Sequence, residues 1–267
     1  LSESKPIEVL PAPDKVFVLV SQHAGAPAKP LVKKGDEVKL GQKIAEAAGY
    51  ISANIHSPVS GKVVKIEDVP HFAGGSSSAI IIENDGQDAL AEELEPHSKW
   101  QELEPLEFAK IASEAGIVGM GGAMFPTAVK LSPPKDKNIG IVIINGAECE
   151  PYLTADHRLM LEYPERIVEG VEMIKYALGA KRLIIAIERN KPDAIKTMIK
   201  SAKGKDIEIA SLKTKYPQGA EKQLIFALTK RIVPSGGLPF DVGCYVQNVG
   251  TAMALRDAVI DGKPLYE

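Results

Sequence analysis

Cysteine is nearly absent: Cys149 and Cys244 are the only two in 267 residues, and they form no C-x-x-C pair. A disulfide framework is thereby excluded, and a reducing compartment fits. Long hydrophobic runs are missing too. No apolar stretch approaches the ~18–20 residues that span a bilayer. The excess of one charge is small, a net −3, which gives no electrostatic case for nucleic acid or an anionic membrane surface. Residues 1–6 are polar and hold no signal-peptide core. The chain opens on Leu1 without an initiator Met and ends Pro264-Leu265-Tyr266-Glu267 with no stop-like element. It therefore reads as a trimmed piece of a longer protein.

Two common phosphate signatures are also lacking. No G-x-x-x-x-G-K-[ST] is present. The one glycine-rich stretch follows a helical segment, 105–115 with Gly116 as its cap, where a dinucleotide fingerprint needs a strand. That stretch is nevertheless the centre of the chain: Gly119-Met120-Gly121-Gly122-Ala123-Met124-Phe125-Pro126-Thr127, closed by Lys130. Three glycines in four residues remove the side chains that keep a backbone away from a ligand, so their N–H groups can converge on an anion. Lys130 can return a full positive charge to the same spot. A tight turn with an incidental lysine is the plainer reading.

Residues 1–14 are Pro-rich and read as an extended arm. The run Val16–Val20 reads as a buried strand. Through Ile66 come short strands punctuated by G-D, G-Q, S-P and S-G turns, which argue an all-β unit. Residues 84–100 are acidic and polar, a solvated linker. The domain boundary falls near Pro96 to Leu103. Beyond it helices at 105–115, 163–178, roughly 192–203 and 219–230 alternate with strands at 139–144, 182–187 and 206–212. Such alternation implies a parallel sheet with right-handed crossovers. Ligands on such sheets sit at the carboxyl ends of strands. Asn145–Glu150 and Tyr216–Glu221 both fall beyond strand ends. The expected organisation is an arm and all-β domain over 1–98, a Rossmann-like α/β domain over 99–240, and over 241–267 the truncated start of a following segment.

The segment "VKKGDEVKLGQKIAE…SPVSGKVVKI" is similar to the lipoyl/biotinyl carrier fold, a barrel-sandwich hybrid. Alignment puts Tyr50 where a carrier has its modified lysine, and no Lys lies between Lys43 and Lys62. The fold is expected and its chemistry is not. His56 and His71 are isolated from other ligand types and read as structural, so no metal site is expected.

Four ordered blocks carry a wider resemblance: the glycine loop through Lys130, Asn145–Arg158, Tyr216–Gln223 and Val246–Thr251. Together they resemble the RnfC component of the Rnf electron-transport complexes, and the flavoprotein subunit of respiratory complex I. The resemblance implies noncovalent FMN and NAD(H). It places Gly119, Gly121, Gly122, Lys130, Asn145, Glu148, Tyr216, Gly219 and Asn248 in the flavin shell. Glu150, Glu221 and Phe125 then lie near the nicotinamide nucleotide. Hydride chemistry would belong to the flavin, so no catalytic acid or base is named. Relatives carry [4Fe-4S] clusters in a C-terminal part whose cysteines this chain lacks. Implied partners are the other Rnf subunits and, indirectly, ferredoxin. The implied place is the cytoplasmic face of the membrane, held peripherally through those partners, with ion translocation elsewhere in the complex.

The chain departs from the complex I pattern at Met120, Met124, Ala147 and Ala220, and the last two, in place of an Asp and a Glu, make the nucleotide side less acidic. A non-catalytic assembly module with a degenerate nucleotide fold stays open as the second reading.

Overall fold

The computed structural model describes residues 2–92, 94–134 and 136–266. Leu1 of the expected arm, Glu93 of the expected linker, Lys135 and the terminal Glu267 lie outside the described residues. The chain divides into two compact units. One gathers Val9–Leu103, Ala109–Val129 and the residues from Asp257 onward. The other gathers the residues through Glu8, Glu104–Phe108 and Lys130–Arg256.

The first unit is the all-β one. Strands β1 (Lys15–Leu19), β2 (Lys29–Pro30), β3 (Glu37–Val38), β4 (Lys43–Glu46), β5 (Ile55–His56), β6 (Gly61–Pro70) and β7 (Ser76–Asn84) form two antiparallel sheets. Their orders are β1-β7-β6-β3 and β2-β4-β5. Alternation along β1, β6 and β7 turns Val18, Val63, Ile80 and Ile82 inward onto Val38, Ile44 and Ile55. Tyr50 stands 77% exposed on the loop between β4 and β5.

Helix α1 (Pro105–Glu114) and the four-residue α2 (Thr127–Lys130) bracket the glycine loop. Residues 109–129, which follow the boundary expected at 98, gather with the barrel. The bonds that bring them there are specific. Asn54 Nδ2 donates to the Ser113 carbonyl, and Lys43 pairs with Glu114 at 2.6 Å. Gly116 has φ +66°, and a Cβ on it would sit 2.3 Å from the Asn54 carbonyl oxygen. Only glycine serves that approach.

The second unit is α/β. Its strands β8 (Ile141–Gly146), β9 (Arg182–Glu188), β10 (Glu208–Leu212) and β11 (Cys244–Asn248) form one parallel sheet in the order β10-β9-β8-β11. Helices α3 (Ala155–Glu162) and α4 (Pro164–Leu178) connect β8 to β9; α5 (Pro192–Ser201) connects β9 to β10. Helix α6 (Glu221–Thr229) precedes β11, and α7 (Val249–Asp261) follows it. On α4 the apolar positions Ile167, Val168, Val171 and Ile174 are buried at helical spacing, and Gly179 ends the helix in a left-handed cap.

The sheet extends past residue 240, because β11 pairs along β8 from Cys244↔Ile141 to Asn248↔Asn145. From β8 the chain steps outward through β9 to β10, then β11 lands on the other side of β8. Strand order therefore reverses between β8 and β11, and such a reversal opens a crevice at the strands' carboxyl ends.

Candidate functional site

Asn145, one residue before the end of β8, and Asn248, the last residue of β11, lie opposite each other in register. Asn145 donates from Nδ2 to the Gly219 carbonyl at 2.9 Å and accepts the Ala147 N–H at 3.0 Å. Gly219 in turn donates its N–H to Cys149 Sγ at 2.7 Å. A Cβ on Gly219 would lie 2.5 Å from the Ala147 carbonyl oxygen, so the Tyr216–Glu221 stretch reaches the end of β8 through a position only glycine fits. Cys149 thus accepts a backbone hydrogen bond.

Across the crevice, Asn248 Oδ1 accepts from Gly250 N at 2.7 Å and Thr251 N at 3.4 Å, capping α7, while Nδ2 donates to Asp156 Oδ2 at 2.7 Å. Glu148 caps α3 from a distance. Its two carboxylate oxygens accept the N–H groups of Asp156 and His157 at 2.9 and 3.1 Å. Burial, then the Glu148 charge, push the Asp156 carboxyl up to about 7; the Asn248 bond opposes them.

Lys130 does not extend a free charge. Its ammonium donates to the Val246 carbonyl at 2.5 Å and to Glu221 Oε1 at 3.4 Å, and lies over the Tyr245 ring at 5.4 Å. Burial pulls its pKa down, and Glu221 holds it up. Beside the crevice, Glu148, Glu150, Tyr152, Glu188, Lys191 and Tyr216 line a cavity of about 340 Å³. Glu150 and Tyr216 are exposed there. Glu188, only 3% exposed at the end of β9, accepts the Lys215 N–H at 3.2 Å, and burial raises its pKa.

The glycine loop belongs to the other unit. Gly119 N–H donates to the Phe125 carbonyl, Thr127 N–H to the Ile117 carbonyl, and Val118 bridges Pro126. The glycines are thus the turn of a short hairpin, which lines a cavity of about 270 Å³ with His23, Asn54 and His56. Gly121 has φ +75°, and Met124 also has positive φ at +49°. Gly122 differs from both. It has no positive φ, and a Cβ there would meet nothing within 4 Å. His56 is buried and held neutral, its pKa pushed down to about 4 by burial and then by the Lys43 charge. Its Nδ1 finds no hydrogen-bond partner among the described residues.

Of the twelve candidate residues, Gly119, Gly121, Gly122 and Phe125 lie in the barrel-containing unit. Lys130, Asn145, Glu148, Glu150, Tyr216, Gly219, Glu221 and Asn248 lie in the α/β unit. Within the latter, hydrogen bonds directly join Lys130 to Glu221 and Asn145 to Gly219. Asp156 and Glu188 are residues of the site that sequence reasoning missed. Asp156 falls within Asn145–Arg158, on a helix, α3, too short for its periodicity to stand out. Glu188 sits one residue past the expected strand end.

Residues 112–257 match the Nuo51 FMN-binding domain family, and residues 1–87 match the RnfC barrel sandwich hybrid domain. The chain is 54% identical over 264 residues to the C component of the proton-translocating ferredoxin:NAD(+) oxidoreductase complex of Clostridium ljungdahlii, covering 99% of this chain and 58% of that one. It is 48% identical over 257 residues to the C component of the Na(+)-translocating ferredoxin:NAD(+) oxidoreductase complex of Acetobacterium woodii, covering 96% and 58%. The chain thus spans about three fifths of the length of these relatives. Among solved structures, an air-oxidized NAD+-reducing [NiFe]-hydrogenase superposes with TM-score 0.53 at 26% identity, over 61% of this chain and 31% of that one. No helix among the described residues is long and apolar enough to cross a membrane. The chain belongs to the Nuo51 FMN-binding domain family of complex I and, with an RnfC-type barrel ahead of that domain, to the RnfC proteins.

Proposed function

We propose that this chain is the flavoprotein module of a ferredoxin:NAD oxidoreductase complex. It binds FMN noncovalently and exchanges electrons between NAD(H) and iron–sulfur partners, with ferredoxin reached through other subunits. Ion translocation takes place elsewhere in that complex, and the module sits peripherally on the cytoplasmic face of the membrane. The observation that carries this reading is the reversal of strand order between β8 and β11, with Asn145 and Asn248 opposite each other in register.

The residues present fit a flavin mononucleotide. Gly122 keeps a bare backbone where neither φ nor neighbouring atoms require glycine, as close approach of a phosphate does. Asn145 keeps one N–H beyond its Gly219 bond, and the Glu148 carboxylate keeps acceptor capacity beyond its two amides. The proposed flavin shell is Gly119, Gly121, Gly122, Lys130, Asn145, Glu148, Tyr216, Gly219 and Asn248, with Phe125, Glu150 and Glu221 toward the nicotinamide nucleotide. Bound FMN would supply the step from hydride to single electrons. The chain's part is to bind, orient and hold charge. Lys130 does this indirectly, fixing Glu221 and the β11 backbone at Val246.

That engagement of Lys130 favours a second reading, a non-catalytic assembly module. Calorimetric titration of the purified chain with FMN and with riboflavin separates the two. One FMN bound in preference to riboflavin supports the flavoprotein reading, because the phosphate is the only difference. Protein that stays colourless with added flavin supports the assembly module.

A further inference from the structure

Side chains of Glu148, Asp156 and Asn248 link the two sides of the crevice. Glu148, on the loop after β8, clamps the first turn of α3 through the N–H groups of Asp156 and His157. From that turn the Asp156 carboxylate reaches the Asn248 carboxamide at the end of β11 at 2.7 Å. Asn248 has its Oδ1 committed to the start of α7 and one amide hydrogen to Asp156, so Asp156 helps set where its one remaining amide hydrogen points.

We propose that Asp156 is a positioning residue for the β8/β11 crevice: its ionised carboxylate seats Asn248, and protonation of Asp156 loosens that seat. The groups acting on Asp156 come from two directions. Glu148 repels its charge from the β8 side, and Asn248 donates to it from the β11 side. On α3 itself the neighbouring His157 turns to Asp193 of α5, at 2.9 Å. Burial and the Glu148 charge bring the midpoint of Asp156 to about 7. Both forms are therefore populated near neutral pH. A hydrogen bond to the ionised acid is roughly twice as strong as one to the neutral acid, so Asn248 is held best at high pH.

The ligand side of the test rests on the FMN reading above. FMN titrations of wild type and Asp156→Asn are compared at about pH 5.5 and about pH 8.5, on either side of that midpoint. Ionisation of the FMN phosphate is common to both proteins and cancels in the ratio of affinities. The expected ratio is about one at the lower pH and about fivefold in favour of wild type at the higher, the worth of roughly one hydrogen bond. A ratio that does not change with pH overturns the proposal.

If neither protein binds FMN, the flavin reading fails, and two further measurements still decide the role of Asp156. Folded Asp156 keeps its proton up to about 7, whereas the unfolded chain releases it near 3.8. Between those values the native state binds more protons, so wild-type stability falls as pH rises through the window and levels off above it. Asp156→Asn should lack that fall, and a melting-point difference that is constant with pH overturns the proposal. Carboxyl ¹³C NMR of the wild type needs no variant to fold. An aspartate midpoint near 7 supports the inference, and ordinary midpoints for every aspartate sink it.

Discussion

Gly219 and Lys130 reach the crevice by opposite physics, one by having no side chain and the other by spending all of its own. A methyl on Gly219 would press to 2.5 Å from the Ala147 carbonyl oxygen and 2.9 Å from Cys149 Sγ. Neither neighbour is the loose end of a long side chain, so the backbone must shift. Gly219→Ala should cost about 1–3 kcal/mol, the usual cost of overpacking, read as a lower denaturant midpoint. An unchanged midpoint would mean that the Tyr216–Glu221 stretch is not clamped to β8. Lys130 sits over Tyr245 and donates to Glu221 and Val246. Lys130→Met keeps the apolar stem and removes those charged donations, and should cost about 1–3 kcal/mol. Lys130→Glu would set a second carboxylate beside Glu221, so it tests folding before it tests ligand binding.

The glycine loop is an element whose three glycines are not alike. Gly121 needs glycine for its φ of +75°, and Gly121→Ala should cost about 1–2 kcal/mol in left-handed strain. Gly122 faces open space, so Gly122→Ala should leave stability within about 0.5 kcal/mol of wild type while weakening FMN. Thermal melts paired with FMN titrations separate the two. A Gly122→Ala variant that binds FMN as well as wild type would move the phosphate away from this loop. The sequence marked this loop through its three glycines in four residues together with the blocks that follow it. Periodicity likewise revealed α4, α5 and strands β8 to β10, each with an apolar face of ordinary length. Strand β11 and helix α7 escaped because the run from Cys244 to Asn248 gave no flanking alternation to read. The reversal of strand order could not be read at all until β11 was known to pair with β8. The hydrogen bonds of Glu148, Asp156 and Asn248 are similarly invisible in the sequence. The residues stand up to a hundred positions apart, and only the sheet register brings them together.

At the scale of the molecule, the useful quantity is what this stretch can do without the rest of its relatives' length. Hydride transfer from NADH to a bound flavin needs two ring systems stacked and little else from the protein. All twelve candidate residues lie within 119–248. Onward transfer through an iron–sulfur cluster needs four cysteine thiolates. Here Cys244 pairs in register with Ile141 at the start of β8, while Cys149 lies past that strand's end. The five steps of β8 from Ile141 to Gly146 alone span on the order of 16 Å, and the sequence holds no third cysteine. Flavin-loaded protein should therefore be bleached by NADH yet pass electrons to added ferredoxin no faster than free FMN does. Glu150 is exposed, and its substitution leaves the crevice bonds intact. Glu150→Gln should slow bleaching more than it weakens flavin binding, whereas Glu221→Gln also disturbs Lys130 and should change both. Stopped-flow absorbance at the flavin band, run beside equilibrium titration of each variant, resolves rate from affinity. If NADH leaves bound flavin oxidised in folded protein, the nucleotide half of the site is completed by residues outside this chain.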